Sequence, residues 1–306
     1  MLDVIFFYPV ESPLMATNTQ STISELIRTR YLDLTRKERK FADALLANYP
    51  VAGLASITEV AENVGVSTPT VLRTAKKLGF KGFPGFQAAL RAELKQTLAN
   101  PIVKHERWAN ETPEEHILNQ FAGAILDNMS SSLRHIDHHT FDNVSKLLAD
   151  ENRKISIVGG RLSHAIADYL ATHLQIIRND VTLLPHSPSR WPHSLLNMKS
   201  GDVLVLFDVR RYETNLSDLA TLAEKRGIEI ILFTDQWMSP ISNRAAHTLA
   251  VRIEVPSGWD SAVVTLFIVE ALVAAVETHL WPQTRARIKD LEKLFDATRR
   301  FLKKPE

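Results

Sequence analysis

Apolar positions along the chain follow two different periods. Ahead of Glu151 they recur at helical spacing, and beyond it they gather into short unbroken runs separated by amphipathic stretches. In the first part, Thr35 and Glu38 form a capping box that opens a helix with Phe41, Leu45 and Leu46 turned inward. Helical segments from Ser21 to Tyr31 and from Phe86 to Leu98 flank it, giving an all-helical unit. Inside that unit, SITEVAENVGVSTPTVLRTAKKLGFKGF (Ser56 to Phe83) reads as two short helices in tandem. Ser56 and Glu59 cap the first, and Ile57, Val60, Ala61 and Val64 form its apolar stripe before Gly65 ends it. Ser67 caps the second, where Pro69 is tolerated in the first turn because the N–H it lacks has no helical partner there. Val71, Ala75 and Leu78 form the buried stripe of that second helix, which places Thr70, Arg73 and Lys77 opposite, with Pro69 and Lys76 beside them.

The helical unit ends near Asn100-Pro101, and a polar connector over residues 101–112 follows. Thr112-Pro113-Glu114-Glu115 has the order N-cap, N1, N3 of a further helix whose buried side is Ile117, Phe121, Ile125 and Leu133. Past Glu151 the runs Ile155 to Val158, Val181 to Leu184, Val203 to Phe207, Ile228 to Phe233 and Thr248 to Val255 alternate with helical patterns such as Ser163 to Ile177 and Leu216 to Arg226. Runs without alternation suit parallel strands covered on both faces. The predicted fold class is an α N-terminal helix-turn-helix bundle followed by an α/β three-layer sandwich around a parallel five-stranded sheet. Its expected divisions are an extension over 1–16, the helical domain over 17–100, the linker 101–112, the α/β domain over 113–282 and a C-terminal helix over 283–306. Ligands of such sheets bind beyond the carboxyl ends of the strands, which directs attention to the loops Gly159 to Ser163 and Asp208 to Thr214.

Charge turns the helical pair into a functional expectation. The whole chain of 306 residues carries a net charge of +1, with 45% apolar and 23% charged residues. Yet between Ser67 and Lys95 lie Arg73, Lys76, Lys77, Lys81, Arg91 and Lys95 against the single acid Glu93. Two short helices joined by a glycine turn, the second basic on its free side, form the geometry that seats a recognition helix in the major groove of double-stranded DNA. Thr68, Thr70, Arg73 and Lys77 are expected to face bases or phosphates, and Lys76, Lys81 and Arg91 mainly phosphates. With no cysteine, disulfides, thiolate zinc sites and a cysteine nucleophile are excluded, which accords with a reducing cytoplasm. MLDVIFFYPVESPLM lacks the basic start of an export signal, so residues 1–14 read as a dispensable extension ahead of Met15. The apolar stretch Ala262 to Leu280 is interrupted by Glu270 and Glu277 and reads as a core helix, with no membrane partner expected. His135, His138 and His139 have helical spacing but no clear third ligand, so neither a metal nor a cofactor is expected. The Pro-rich stretch HSPSRWPH reads as a solvated connector, with Trp191 a candidate lid over the ligand mouth.

Taken together, the two halves resemble the RpiR family of bacterial transcriptional regulators, in which a helix-turn-helix precedes a SIS (sugar isomerase) domain, over roughly Ile23 to Leu280. The resemblance is strongest in TVLRTAKKLGFKGFPGF, Thr70 to Phe86, with its L-G-F-x-G-F continuation. It implies a non-enzymatic regulator, a homodimer or homotetramer, whose SIS-type sandwich senses a phosphosugar or other acidic sugar derivative. The implied effector loops are Gly159-Gly160-Arg161-Leu162-Ser163, where Arg161 replaces a glycine of the family pattern, and Asp208-Val209-Arg210-Arg211-Tyr212-Glu213-Thr214-Asn215, where charges replace hydroxyls. From these loops Gly159, Gly160, Arg161, Ser163, Asp208, Arg210, Arg211, Glu213 and Thr214 are the expected effector contacts. Arg210 or Arg211 could grip an anion bidentately, and the helix opened by Ser163 favours one at its N-terminus. Alternatively Asp208, Arg210 and Glu213 form an internal salt-bridge network in a domain kept for oligomerisation. The rival reading is a SIS-type phosphosugar isomerase with an appended helical domain, for which Glu213 or His193 would be the base.

Overall fold

Capping chemistry sets the starts of the first helices in the computed structural model, which describes residues 21–111 and 116–298. The expectations placed on residues 1–16 and on the Thr112 to Glu115 cap lie outside the described residues. The N-terminal unit comprises α1 (Ile23–Thr29), α2 (Arg36–Ala47), α3 (Ile57–Val64), α4 (Thr68–Lys77) and α5 (Phe83–Leu98). Thr22 with Glu25, and Thr35 with Glu38, close reciprocal capping boxes on α1 and α2. Gly65, at φ 67°, terminates α3 in the left-handed conformation that favours glycine, with Val66 N bonded back to Ala61 O at 2.9 Å. Phe86 is fully buried and gathers Phe41, Phe80 and Phe83 around its ring at centroid distances of 6.2, 5.4 and 5.9 Å. The two phenylalanines of the L-G-F-x-G-F stretch therefore weld α5 to the end of α4.

The stretch expected to be a polar connector is a helix, α6 (Pro101–Glu111). Asn100 and Pro101, read above as the end of a domain, are equally an N-cap and an N1 residue, and Asn100 Oδ1 accepts from Val103 N at 3.0 Å. Beyond it lie α7 (Ile117–His135), α8 (His138–Ala149), β1 (Ile155–Gly159), α9 (His164–Ile177), β2 (Val181–Leu183), α10 (Trp191–Leu196), β3 (Val203–Phe207), α11 (Thr214–Lys225), β4 (Glu229–Asp235), β5 (His247–Val251), α12 (Val263–His279) and α13 (Trp281–Ala297). The five strands form one parallel sheet in the order β2-β1-β3-β4-β5, as the unbroken apolar runs predict. Alternate residues of each strand feed opposite layers. Ile155, Ile157, Val205, Phe207 and Phe233 meet α8, α9 and α12, while Val158, Leu204, Leu206, Ile230 and Leu232 meet α10 and α11.

Helix α7 departs from its expected packing. Ile117 and Leu133 are exposed and Phe121 and Ile125 only half-buried, whereas its buried residues are Asn128, Ser131 and Ser132. Those polar groups face the domain because they satisfy backbone there: Asn128 Nδ2 donates to Glu254 O at 2.7 Å, and Ser132 Oγ accepts from Arg252 N at 2.8 Å. Periodicity identified the helix, but the apolar stripe points away from this chain's own core. Trp191 is likewise no lid. It is buried in the α10–α11 layer with its indole N–H on Pro185 O at 2.7 Å.

The two units meet along a polar seam. Glu25, in the first turn of α1, is buried and forms a two-pronged pair with the buried guanidinium of Arg252, which follows β5; Arg252 Nε lies 2.9 Å from Glu25 Oε1. Ser24 Oγ donates to Gln236 O at 2.9 Å, Arg28 reaches Met238 Sδ at 2.7 Å, and Asn243 donates to Ala47 O. Behind this seam Glu93 accepts from Ile23 N at 2.8 Å and from the Tyr49 hydroxyl, and burial pushes its pKa up to about 7, against the pull of those two hydrogen bonds.

Arg252→Ala leaves a buried carboxylate without its cation, and a loss of about 3–5 kcal/mol is expected, read as a fall in the urea midpoint. Lys293→Ala, which breaks the exposed pair with Asp290, should leave that midpoint in place. Because the folded pKa of Glu93 is raised above its ordinary 4.5, its contribution to stability is complete below that value and is lost as pH rises through about 7. The thermal midpoint should therefore fall between pH 5 and 7.5 by less in Glu93→Gln than in the wild type, the remaining slope belonging to Asp208 and Asp235, which burial also shifts upward.

Candidate functional site

Two surfaces carry chemistry, and the first is α4. Arg73 and Lys76 are exposed on it beside Pro69, with Thr68 half-buried at its start and Lys81 and Arg91 exposed nearby. Thr70 does not join them. It is 1% exposed, its hydroxyl lies 2.9 Å from Ser67 Oγ, and its carbonyl accepts from the buried Thr74 at 2.9 Å. The buried arc of α4 is wider than the Val71–Ala75–Leu78 stripe because the helix is wedged against α2, α3 and α5 at once. Lys77 is also differently employed: its ammonium lies 2.8 Å from Glu38 and 3.0 Å from Asp33 O, which braces α4 on the capped end of α2. The cations left for a ligand on this face are thus Arg73, Lys76, Lys81 and Arg91, the last leaning on Gln87 Oε1 at 2.7 Å.

The second surface is a cavity of about 390 Å³ at the carboxyl ends of β1, β3 and β5, where the sheet topology places ligands. Gly160, Arg161, Ser163, Asp208, Arg210, Arg211 and Glu213 line it, as expected; Gly159 and Thr214 do not. Gly159 instead permits the chain to turn into α9, since a Cβ there would lie 2.6 Å from the Ser163 carbonyl carbon. Ser163 Oγ donates to Phe207 O at 2.8 Å, so its proton is already engaged.

The β3–α11 loop is tightly wound. Arg210 and Arg211 have φ of 23° and 59°, and fully buried Asp235 holds them there by accepting from Arg210 N at 2.7 Å, Tyr212 Oη at 2.8 Å and Trp237 N at 2.9 Å. Asp208 is buried, accepts from Glu213 N at 3.2 Å and from Ser239 Oγ, and is pushed up by burial to about 6. Arg210 does not pair with Asp208 or Glu213. Its guanidinium lies over the Trp237 ring at 4.2 Å, meets Asp260 at 2.8 Å and Glu254 at 3.3 Å, and donates to Gln96 O at 2.6 Å. The network foreseen within the loop is therefore a tie from the loop to the end of α5.

Sequence reasoning missed half of the cavity wall. Ala99, Pro101 and Lys104 contribute from the α5–α6 junction, and Trp259 and Asp260 from the loop before α12. Lys104 is buried and pairs with Asp260 at 2.5 Å, and Gly258 approaches so closely that a Cβ would lie 2.8 Å from Pro101 O. The rule about strand ends could have flagged the β5–α12 loop, and Trp259, 57% exposed, is the aromatic at the mouth. His193, one nominee for an isomerase base, is exposed on α10 away from the cavity, and the other, Glu213, accepts from Arg161 N at 2.8 Å. His135 Nδ1 lies 2.7 Å from Ser131 O, and among the described residues no cluster could hold a metal ion. No single helix among them is long and apolar enough to cross a membrane.

Comparison with known proteins matches a family model to each unit. Residues 21–97 match the helix-turn-helix domain of the rpiR family, and residues 147–275 match the SIS domain. The chain is 28% identical over 244 residues to the HTH-type transcriptional regulator HexR of Escherichia coli (strain K12), covering 77% of this chain and 79% of that protein. HexR of Pseudomonas aeruginosa (strain PAO1) is 26% identical over 261 residues, covering 82% and 88%. The solved structure of the Vibrio vulnificus NanR protein complexed with ManNAc-6P has the same fold, with a TM-score of 0.53 at 20% identity over 90% of this chain and 98% of that one. With its rpiR-type helix-turn-helix followed by a SIS domain, the chain belongs to the RpiR family of DNA-binding transcriptional regulators.

Proposed function

We propose that the protein binds a double-stranded DNA operator through α4 and adjusts that binding to a phosphosugar or other acidic sugar derivative held at the carboxyl end of the sheet. One observation carries the reading: the cavity is walled on one side by SIS loops and on the other by Ala99, Pro101 and Lys104, the stretch that continues directly from the helix bracing α4. A ligand there touches both units at once. Arg73 is assigned to base edges, Lys76, Lys81 and Arg91 to phosphates, and Thr68 to the backbone at the head of α4. Arg161, Arg211 and Ser163 are the proposed effector contacts, with Asp208 and Glu213 accepting ligand hydroxyls and Arg210 holding the wall.

A homodimer or homotetramer in the cytoplasm completes the proposal. Exposed Ile117, Leu118 and Leu126 on α7, with half-buried Phe121 and Ile125 beside them, supply an apolar stripe that another copy could cover. In a two-fold dimer the half-sites would lie about one helical turn of DNA, or a multiple of it, apart.

Arg73→Ala should reduce discrimination at one operator position by about 1–3 kcal/mol, whereas Lys81→Ala should weaken all sequences alike and lower the salt slope by about 1. Fluorescence anisotropy on operator and scrambled duplexes across a salt series measures both. Unchanged preference in Arg73→Ala would show that α4 is not the reading helix.

A further inference from the structure

The cavity is divided into poles of opposite charge. At the inner pole, Glu213 Oε1 accepts from Arg161 N at 2.8 Å and lies so near Gly160 that a Cβ on that residue would meet the same oxygen at 2.7 Å. The carboxylate thus occupies the turn immediately ahead of α9, the place where free amides and the helix dipole attract an oxyanion. Asp208 stands behind it and accepts from Glu213 N at 3.2 Å, so a second carboxylate reinforces the negative potential. Two further cations of the lining are committed elsewhere: Arg210 to Asp260, Glu254 and Gln96 O, and Lys104 to Asp260. At the mouth, Arg161 and Arg211 are exposed, and among the described residues neither guanidinium has an ion-pair or hydrogen-bond partner.

We infer that Glu213 is a resident anion filling the oxyanion position ahead of α9, and that the effector therefore binds with its hydroxyls toward Glu213 and Asp208 and its own acidic group against Arg161 and Arg211. The inference rests on reading this cavity as the effector site and specifies the ligand class: a polyhydroxylated molecule ending in one phosphate or carboxylate, oriented acid outward. A phosphate placed inward would sit beside two carboxylates in a partly desolvated site, where like charges repel most strongly. Hydroxyl donors placed there meet acceptors on both, and planar guanidiniums at the mouth suit a bidentate oxyanion.

The test uses the full chain with inorganic phosphate as the probe, read by calorimetry and by the shift of the thermal midpoint. Phosphate binding by the wild type should weaken about tenfold or more when Arg161→Ala and Arg211→Ala are combined. Glu213→Ala should gain about tenfold in phosphate affinity, and Glu213→Gln, which keeps the shape and an acceptor for Arg161 N, should gain in the same direction. The gain of Glu213→Ala should persist in the background lacking the two arginines, because the vacated amide then holds the anion. If Glu213→Gln melts as cooperatively as the wild type and gains nothing, or if wild-type phosphate binding survives loss of both arginines, the inference is overturned. Should Glu213→Ala fail to fold, Glu213→Gln decides alone. Duplex DNA binding by the same wild-type preparation tests the underlying reading separately, since absence of sequence preference there would remove the regulator role and leave the phosphate result intact.

Discussion

The arrangement of the molecule depends on a buried charge pair, Glu25 with Arg252, whose two-pronged geometry sets how α1 meets the loop after β5. Burying an ion pair is expensive in desolvation, and its attraction compensates only where further hydrogen bonds satisfy the remaining lone pairs and protons. Glu25 meets that condition by also closing the capping box of α1, its Oε2 accepting from Thr22 N at 2.7 Å. Arg252 sets Nε and Nη2 on the two oxygens of that carboxylate, and its backbone N–H, held by Ser132 Oγ, fixes where the side chain starts. One carboxylate therefore starts the first helix and locks that helix onto the loop after β5. Ser24, Arg28 and Asn243 add directional bonds around it, and together they fix where α4 stands relative to the sheet.

The second tie, through Arg210, runs beside the cavity. A loop with two consecutive residues at positive φ is costly unless its surroundings over-determine it, and Asp235 does so with three hydrogen bonds from a fully buried position. The strain aims the Arg210 guanidinium across the top of the sheet, over Trp237, to Gln96 O at the last turn of α5. That carbonyl also accepts from Ala99 N at 3.1 Å, and at a helix C-terminus a cation suits the dipole. Loops at the carboxyl ends of the strands thus perform two tasks at once, forming the pocket floor and holding the helical unit.

Much of this was legible in the chain, and the exceptions have physical causes. Capping boxes and stripes located α1 to α5, and unbroken apolar runs gave all five strands in their parallel arrangement, because those signals are local. Thr70 was misplaced because a helical wheel sees one buried stripe, whereas α4 is packed by three neighbours; Lys77 lies on the exposed face as expected, but its ammonium pairs with Glu38. α6 was taken for a connector because Asn-Pro marks both a chain break and a helix start. α7 showed its period but not its polarity, since the inward face is chosen by the backbone groups of Arg252 and Glu254 that only the tertiary fold brings near. In the cavity the two loops named from the sequence are present, but Lys104 and Trp259 enter from segments far away in the chain, and no spacing rule connects them. Arg210, expected as an effector contact, lines the cavity, but its partners Asp260, Glu254 and Gln96 are all distant in sequence and no local pattern pointed to them.

The shared wall defines how a ligand could act. A small molecule shifts an equilibrium between seated and released helical units only by the difference in its affinity for the two. Lys104 and Asp260 form part of the pocket, so an arrangement that parted them would offer the ligand a different site. A ligand whose hydroxyls bridge Pro101 and the SIS loops favours the seated form; one whose acidic group competes with Asp260 for Lys104 or Arg210 favours release. Coupling of this kind is reciprocal, so an operator that selects one placement of α4 alters effector affinity by the same factor. On the proposed reading, the direction of control would follow from whether the ligand's acid reached inward to the cations of the seam or stayed at the mouth, and Glu213, at the inner pole, would favour the mouth.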